Sequence, residues 1–203
     1  MKPDLWAVIP VKPFALGKSR LAGRLDAPSR TALNRTLFDH VFGTAAAGLG
    51  AGRIAVVTSD SVLSASVDAR GAHGIVDMGD LNAALGKACR FMAGRGAQAI
   101  MVLPSDLPFV SKDDIAALAS ALPPVPGVAI APDAAGQATN ALVLSPPDPD
   151  FFRFGPLSFA VHLHGARERG MTIEIVRRPG LAFDLDTPED YQEFLARTGA
   201  PAT

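Results

Sequence analysis

The sequence has little of what several common kinds of site require. Its 203 residues include one cysteine, Cys89, which excludes an intrachain disulfide and a cysteine-based zinc site. Cys89 lies in an apolar helical pattern, so we expect a buried thiol rather than a nucleophile. The formal net charge is −1, so the chain has no general attraction for nucleic acid or acidic membranes. Any anion site must therefore be local.

Long apolar runs and glycine-rich nucleotide fingerprints are missing too. No apolar run approaches membrane-spanning length, and the segment Trp6–Val11 is too short for the apolar region of a signal peptide. We therefore expect a cytoplasmic protein that does not bind membranes. The same segment is not followed by Gly-x-Gly-x-x-Gly, which makes a dinucleotide-binding oxidoreductase a weaker interpretation.

The sequence does contain alternating strand and helix patterns. Hydrophobic residues make up 48% of the chain and charged residues 19%, so we expect a packed globule and treat residues 1–203 as a single domain. The predicted strands are Trp6–Val11, Ile54–Thr58, Gly74–Val76, Ala99–Leu103, Val128–Ala131, Asn140–Leu144 and Thr172–Val176. The predicted helices begin near Asp26, Val62, Leu81, Ser111, Ser158 and Thr187. This alternation predicts an α/β fold with a mostly parallel mixed sheet and helices on both faces.

A basic loop follows the first predicted strand. Lys12, Lys18 and Arg20 stand within nine residues, at the strand end where open α/β sheets bind ligands. They have no acidic partner nearby in the sequence, so a loop folded over a cavity would need an anion, such as a polyphosphate, for charge compensation. The alternative is a solvated basic turn.

Three acidic residues stand at positions suited to a metal. Asp106 follows the strand Ala99–Leu103 in a proline-bounded turn, and Asp184 and Asp186 are two residues apart, which places both on one side of an extended stretch. Mg²⁺ prefers one or two carboxylates together with substrate oxygens. The alternative for Asp106 is a turn or helix cap, and either Asp186 or Thr187 could cap the next helix. If the basic loop binds the β and γ phosphates and the acids hold Mg²⁺, the α phosphorus becomes electron-poor and open to in-line attack. An attacking oxygen that is already an anion, as in a phosphate, would need no general base.

An acceptor for that transfer would need its own contacts. Thr139 and Asn140 end a flexible loop just before a strand, and they offer hydroxyl and amide donors. Gly155 precedes a predicted helix that Ser158 can cap, and a helix amino terminus binds anions through free N–H groups. His162 lies one turn further on the same helix face as Ser158. The alternative for His162 is an ordinary core or surface residue.

These motifs together resemble a known family, the guanylyltransferases of coenzyme F420 biosynthesis, which are similar in fold to the molybdenum cofactor guanylyltransferases. The matching segments are Pro10-Val-Lys12, Lys18-Ser-Arg20-Leu21, Leu81-Asn82-Ala-Ala-Leu85, Pro104-Ser-Asp106-Leu-Pro108, Thr139-Asn140-Ala-Leu142, Phe154-Gly155-Pro-Leu-Ser158-Phe with His162, and Asp184-Leu-Asp186-Thr-Pro188. They occur in the family's order over nearly the whole chain.

The resemblance implies a single nucleotidyltransferase domain of the Rossmann-like nucleotide-diphospho-sugar transferase type. Members transfer GMP from GTP to the phosphate of 2-phospho-L-lactate, phosphoenolpyruvate or 3-phospho-D-glycerate and release pyrophosphate. It also implies Mg²⁺ on Asp106 and an acid of the Asp184–Asp186 pair, and acceptor contacts from Thr139, Gly155 and Ser158. The nucleotide-binding candidates are Pro10, Lys12, Lys18, Ser19, Arg20, Asn82, Pro104 and Asp106, and those with a catalytic role are Lys12, Lys18, Arg20 and Asp106.

The sequence departs from related patterns at two places. Asp80 stands before Leu81-Asn82, where relatives usually carry glycine, and Gly17 stands alone, without the Gly-x-Gly-x-x-Arg pattern of sugar nucleotidyltransferases. The alternatives are another nucleotidyltransferase of this fold, acting on molybdopterin or a sugar phosphate, and a nucleotide-binding protein without turnover. Expected partners are GTP, the phosphorylated acid and a later transferase of the pathway that receives the product. Apolar helices could also form a homodimer.

Overall fold

The structure, a computed structural model, describes residues 3–199, so both ends of the predicted domain lie outside the described residues. Its strands are β1 (Leu5–Pro10), β2 (Ile54–Thr58), β3 (His73–Val76), β4 (Ala99–Val102), β5 (Gly127–Pro132), β6 (Thr139–Ser145) and β7 (Thr172–Ile175). Its α-helices are α1 (Ala27–Leu49), α2 (Ser61–Ala69), α3 (Leu81–Ala93), α4 (Lys112–Ser120), α5 (Ser158–Glu168), α6 (Pro179–Ala182) and α7 (Pro188–Thr198). Short 3-10 turns cover Phe14–Leu16, Ser19–Gly23 and Ala51–Arg53.

The seven strands form one sheet in the order β3-β2-β1-β4-β6-β5-β7. Strands β1 to β4 run parallel to one another, and β7 runs parallel to β5. Only β6 is antiparallel, both to β4 and to β5, with which it forms a hairpin. The first residues of β6 therefore lie at the same edge of the sheet as the last residues of β1 to β4. The predicted mostly parallel mixed sheet is confirmed.

Alternate residues of the strands pack into two apolar cores on opposite faces of the sheet. Ala7 and Ile9 of β1 face the core formed with α1, α2 and α4, while Trp6 and Val8 face the core formed with α3 and α5. All five residues of β2 are buried, as expected for a central strand covered on both faces. Cys89 is buried on α3, where burial raises its thiol pKa to about 12. The predicted buried position of Cys89 is therefore confirmed.

A third, smaller cluster joins the beginning of the chain to its end. It contains Leu21 and Leu25 from the segment after the basic loop and Leu185, Tyr191 and Leu195 from the segment around α7. Leu21 and Leu185 are fully buried. Apolar burial of this kind holds two segments together although more than 150 residues of chain separate them.

One predicted local feature is wrong. Ser158 does not cap α5: it is the first residue of the helix, and the capping position is Leu157, which has a left-handed backbone (φ 55°) and makes no capping side-chain bond. The Ser158 hydroxyl instead accepts a hydrogen bond from the Thr139 backbone N–H at 2.9 Å. Within residues 3–199, no helix is long and apolar enough to cross a membrane.

Gly180 on α6 provides a test of packing. A methyl group at Gly180 would overlap the Asp114 carboxylate and the Phe109 carbonyl oxygen. That carboxylate is fixed by hydrogen bonds from Ser111 and from Arg178 Nε at 2.8 Å, so it cannot easily move away. We expect Gly180→Ala to lower the free energy of unfolding by about 1–3 kcal/mol, measured by urea denaturation.

Gly43→Ala is the matched control for this prediction. Gly43 is exposed in the middle of α1, and its added methyl group would meet nothing within 4 Å. Because alanine favours helix over glycine, this variant should gain up to about 1 kcal/mol. Equal stability of the two variants would contradict the packing at Gly180.

Candidate active site

Lys18 joins two carboxylates from distant parts of the chain. Its Nζ atom lies 2.8 Å from Asp106 Oδ2 and 2.8 Å from Asp186 Oδ1, and its side chain is only 7% exposed. Arg20 lies at the margin, with Nη1 4.0 Å from Asp186 and the side chain 72% exposed. The structure thus brings the basic loop and two of the predicted acids to one place.

The sequence-based expectation that the basic loop needs an external anion is wrong for Lys18. Its two partners are 88 and 168 residues away along the chain, so an inspection of neighbouring residues could not find them. Lys18 is already compensated by the protein itself. Lys12 remains exposed beside the same group.

Packing around the loop fixes Lys18 in an unusual backbone conformation. Lys18 has φ 54° and ψ 35°, a left-handed conformation that is unfavourable for residues with a side chain. On one side, Gly17 packs closely on Asn34: a Cβ added at Gly17 would lie 2.6 Å from Asn34 Nδ2. The same Nδ2 atom donates to the Phe14 carbonyl at 2.7 Å, which fixes the Asn34 side chain. On the other side, Leu21 is buried in the third cluster. These contacts hold the ammonium group in the site.

The two carboxylates are held next to each other by the backbone. The Leu185 N–H donates to the Asp106 carbonyl at 3.0 Å, so the segment that carries Asp186 runs beside the turn after β4. Thr187, not Asp186, caps α7 and forms a capping box with Asp190. The Asp186 side chain is therefore free to face Lys18.

Burial and charge shift the pKa values of this group in different directions. Burial alone would lower the pKa of Lys18, but Asp106 and Asp186 outweigh it, so the pKa is raised. Burial opposes ionisation of Asp186, yet Lys18, with Arg20 and Lys12, holds its pKa below the usual value. The pKa of Asp184 is raised by burial and by the nearby Asp106, although Asn140 donates to its Oδ1 at 3.1 Å.

These residues fit a divalent cation that is shared with a ligand. Asp106 and Asp186 share the buried ammonium of Lys18, and Asp184 lies close enough for the charges of both acids to act on it. Three carboxylates near one buried ammonium leave an excess of negative charge, and carboxylate oxygens are the donors that Mg²⁺ prefers. In the described part of the chain, no group of three or more acidic, histidine or cysteine residues is arranged to hold a metal by itself. Phosphate oxygens of a substrate would have to complete the coordination.

A cleft of about 500 Å³ opens beside this group at the carboxyl ends of the parallel strands. Five of the predicted nucleotide-binding residues line it: Pro10, Lys12, Lys18, Pro104 and Asp106. Asp186 lines it as well. The other three, Ser19, Arg20 and Asn82, are not part of its lining.

The side-chain amide of Asn82 bonds to the backbone of Phe154, and the part of Asn82 in nucleotide binding stays a prediction. Its Oδ1 accepts from the Phe154 N–H at 2.7 Å and its Nδ2 donates to the Phe154 carbonyl at 3.0 Å. The amide is therefore used to hold the backbone of Phe154, which lines the cleft. Asp80, the departure from the family pattern, caps α3 by accepting from the N–H groups of Asn82 and Ala83.

The predicted acceptor residues form a buried network. Thr139 N–H donates to Ser158 Oγ at 2.9 Å, and Thr139 Oγ1 lies 2.9 Å from His162 Nδ1. His162 Nε2 accepts from the Arg153 N–H at 2.9 Å, so in the neutral ring the proton is on Nδ1, which donates to Thr139. Burial, followed by the charge of Arg153, lowers the pKa of His162 to about 4.

None of the predicted acceptor side chains lines the cleft. Thr139, Ser158 and His162 contact one another, while Asn140 is bonded to Asp184. Gly155 lies in an exposed loop with φ 141°, directly after Phe154. Their part in acceptor binding stays a prediction.

Sequence reasoning also missed cleft residues. Asp77 lines the cleft together with Ser59 and Phe154, and it follows β3, three strand positions away from β4, which Asp106 follows. The signal for Asp77 was present, because an acid directly after the predicted third strand lies at the same sheet edge as Asp106.

The chain matches a known protein family over nearly its whole length. The model of the family described as "Guanylyl transferase CofC like" matches residues 5–200. The chain belongs to this family. Among CofC-like relatives, a phosphoenolpyruvate guanylyltransferase from Rubrobacter xylanophilus is 40% identical over 197 residues, covering 97% of this chain and 96% of the relative. A 2-phospho-L-lactate guanylyltransferase from Methanothermobacter thermautotrophicus is 33% identical over 191 residues, covering 93% and 83%.

Solved structures show the same fold at much lower sequence identity. A protein from Desulfovibrio desulfuricans G20, described as a nucleotide-diphospho-sugar transferase, superposes with a TM-score of 0.72 at 16% identity, covering 99% of this chain and 90% of its own. The predicted nucleotide-diphospho-sugar transferase type of fold is thus confirmed for this CofC-like chain. At this identity, the likeness concerns the fold alone.

The buried network predicts a pH dependence of stability. Because the pKa of His162 is about 4 in the folded protein and 6.5 in the reference state, the unfolded chain binds a proton first as the pH falls. Stability is therefore lost between about pH 6.5 and pH 4, by about 3 kcal/mol when each pH unit is worth about 1.4 kcal/mol. We expect this loss to be largely missing in His162→Gln, measured by urea denaturation at several pH values.

His164→Gln is the control for this experiment, since His164 is on the same helix but 72% exposed. It should keep the pH dependence of the unchanged protein. A His162→Gln variant whose stability runs parallel to that of the unchanged protein from pH 7 to pH 4 would show that His162 is not buried as a neutral ring.

Proposed function

We propose that this protein transfers GMP from GTP to the phosphate of a phosphorylated three-carbon carboxylic acid and releases pyrophosphate, as a step of coenzyme F420 biosynthesis. Membership in the CofC-like guanylyl transferase family supports the reaction class. The observation that carries the proposal is Lys18, held between Asp106 and Asp186 at the charged end of a cleft. This arrangement suits a triphosphate better than an uncharged substrate.

The reaction needs positioning and charge more than proton transfer. An oxygen of the acceptor phosphate attacks the α phosphorus of GTP, and the bond from that phosphorus to the oxygen bridging to the β phosphate breaks. The electron pair leaves with pyrophosphate. Because the attacking oxygen is already an anion, no residue has to remove a proton, which agrees with the position of His162 outside the cleft lining.

The basic residues at the cleft have separate tasks in this proposal. Lys12 is exposed and lines the cleft, so it can reach the phosphates of an incoming nucleotide. Lys18 neutralises and orients Asp106 and Asp186, and its ammonium faces the same cleft. Arg20, at the exposed margin, adds positive charge that attracts the triphosphate.

We propose that Mg²⁺ is the cofactor, held by Asp106 with Asp184 or Asp186. Bound there, Mg²⁺ would bind phosphate oxygens and stabilise the negative charge that develops on them. Burial, followed by the charge of Asp106, raises the pKa of Asp184, and a cation bound beside these carboxylates would offset both effects.

The proposed acceptors are phosphoenolpyruvate, 2-phospho-L-lactate and 3-phospho-D-glycerate. The 40% identical relative carries the name of the first and the 33% identical relative that of the second. Gly155 follows Phe154, a residue of the cleft wall, so the exposed loop that carries Gly155 borders the cleft. In our proposal its backbone, rather than the buried side chains of Ser158 and Thr139, contacts the acceptor.

Pyrophosphate release with Mg²⁺ tests the proposal. GTP and ATP are each offered with the three phosphorylated acids, and we expect release only from GTP and chiefly with one acid. Asp106→Asn should lower kcat by on the order of 10²–10³-fold, because charge stabilisation at the phosphates is lost. Asp113→Asn, an exposed acid on α4, should retain full activity.

Two results would contradict the proposal. Transfer to a sugar phosphate or to molybdopterin, with none to the three acids, would assign the protein to another branch of the nucleotidyltransferases. Binding of GTP without transfer to any acceptor would indicate a nucleotide-binding protein that does not turn over.

A further inference from the structure

The cleft has a second charged group that the proposed phosphate chemistry does not use. Asp77 follows β3 and Asp106 follows β4, and these strands are three positions apart in the sheet. At about 4.8 Å per strand, the two acids stand on the order of 14 Å apart along the sheet edge. Asp77 is therefore too far away to share a metal ion with Asp106. A ligand that reached both acids would have to be elongated.

The Asp77 carboxylate is held in a fixed orientation. Its Oδ1 accepts from the Gly79 N–H at 2.8 Å, and its Oδ2 lies 3.1 Å from Lys87 Nζ. Its own N–H donates to the Thr58 carbonyl at 2.9 Å, which fixes the backbone at the end of β3. A Cβ at Gly79 would come within 2.9 Å of Oδ1, so any larger residue there would displace the carboxylate.

This carboxylate is an ionised acceptor that remains open to a ligand. The backbone hydrogen bond from Gly79, followed by the contact with Lys87, lowers the pKa of Asp77. Its side chain is 16% exposed and lines the cleft. Each carboxylate oxygen has a further lone pair, so Asp77 can accept from two N–H donors at once.

The wall around Asp77 suits a flat ring. The apolar residues that line this part of the cleft are Val57, Met78, Leu81, Ala84 and Leu85. Ligand sites typically combine such an apolar surface with a few fixed polar groups that select the orientation. Among residues 3–199, Asp77 is the only carboxylate of the cleft lining outside the Lys18 group.

We infer that Asp77 binds the base of the nucleotide and selects guanine, by accepting hydrogen bonds from the ring N1–H and the 2-amino group. Guanine presents these two donors side by side, whereas adenine presents a ring nitrogen lone pair that an ionised carboxylate would repel. This inference rests on the proposed function and adds the residue that reads the base. It assigns base recognition to Asp77 and not to Asn82, whose side-chain amide is bonded to the Phe154 backbone.

An exchange of bases tests the inference through a gain of function. Xanthine carries a carbonyl oxygen where guanine has the 2-amino group, so a carboxamide at position 77 could accept from N1–H and donate to that oxygen. We expect Asp77→Asn to weaken binding of GTP and strengthen binding of xanthosine triphosphate, changing the ratio of the two Kd values by on the order of 10²-fold or more. Titration calorimetry with Mg²⁺ measures both, and pyrophosphate release gives the matching ratio of kcat/KM.

Asp80→Asn is the matched control. It removes the same charge three residues further on, outside the cleft lining, and asparagine caps a helix as well as aspartate does. It should keep the preference of the unchanged protein for GTP. Asp77→Ala provides a second variant, in which the preference for GTP over ATP should fall at least tenfold.

The possible results separate the explanations. If the ratio of the Kd values for GTP and xanthosine triphosphate is unchanged in Asp77→Asn, the inference is overturned. It is also overturned if Asp77→Asn loses only the discrimination against 2′-deoxy-GTP, and that result would assign Asp77 to the ribose. If the unchanged protein binds no GTP, the proposed function itself fails. If it binds and transfers from GTP while both Asp77 variants keep its preference, only the assignment of Asp77 fails.

Discussion

The site depends on one shared ammonium group. Lys18 lies at 2.8 Å from both Asp106 and Asp186, so three segments of the chain meet at a single partly buried point. Two carboxylates this close would repel each other without a cation between them. Lys18 therefore lets the protein keep two carboxylates together, and the unfavourable left-handed backbone at Lys18 is the cost of placing its ammonium group there.

The surrounding packing explains how such a group is maintained. Leu21 and Leu185, each a few residues from one partner of the ion pair, are fully buried in the same small cluster. The helix α7 contributes Tyr191 and Leu195 to this cluster, although it provides no residue of the cleft lining. Helix α7 therefore stabilises the site through apolar packing, while Asp186, just before α7, stabilises it through its charge.

Much of the fold could be predicted from local patterns. Continuous apolar runs such as Ile54–Thr58 become buried central strands, and acids placed directly after strands, such as Asp106, reach the ligand edge, because both rules depend only on nearby residues. Pairings between distant residues could not be predicted. The partners of Lys18 are 88 and 168 residues away, and Ser158 bonds to Thr139 instead of capping its own helix.

The single reversed strand has a further consequence. Residues that follow β1 to β4 line the cleft, whereas β6 runs in the opposite direction and brings its first residues, Thr139 and Asn140, to the same edge of the sheet. The two halves of the edge thus belong to separate stretches of chain. A substitution or insertion in the loop that enters β6 can therefore reshape one half of the edge without moving the loops that follow β1 to β4.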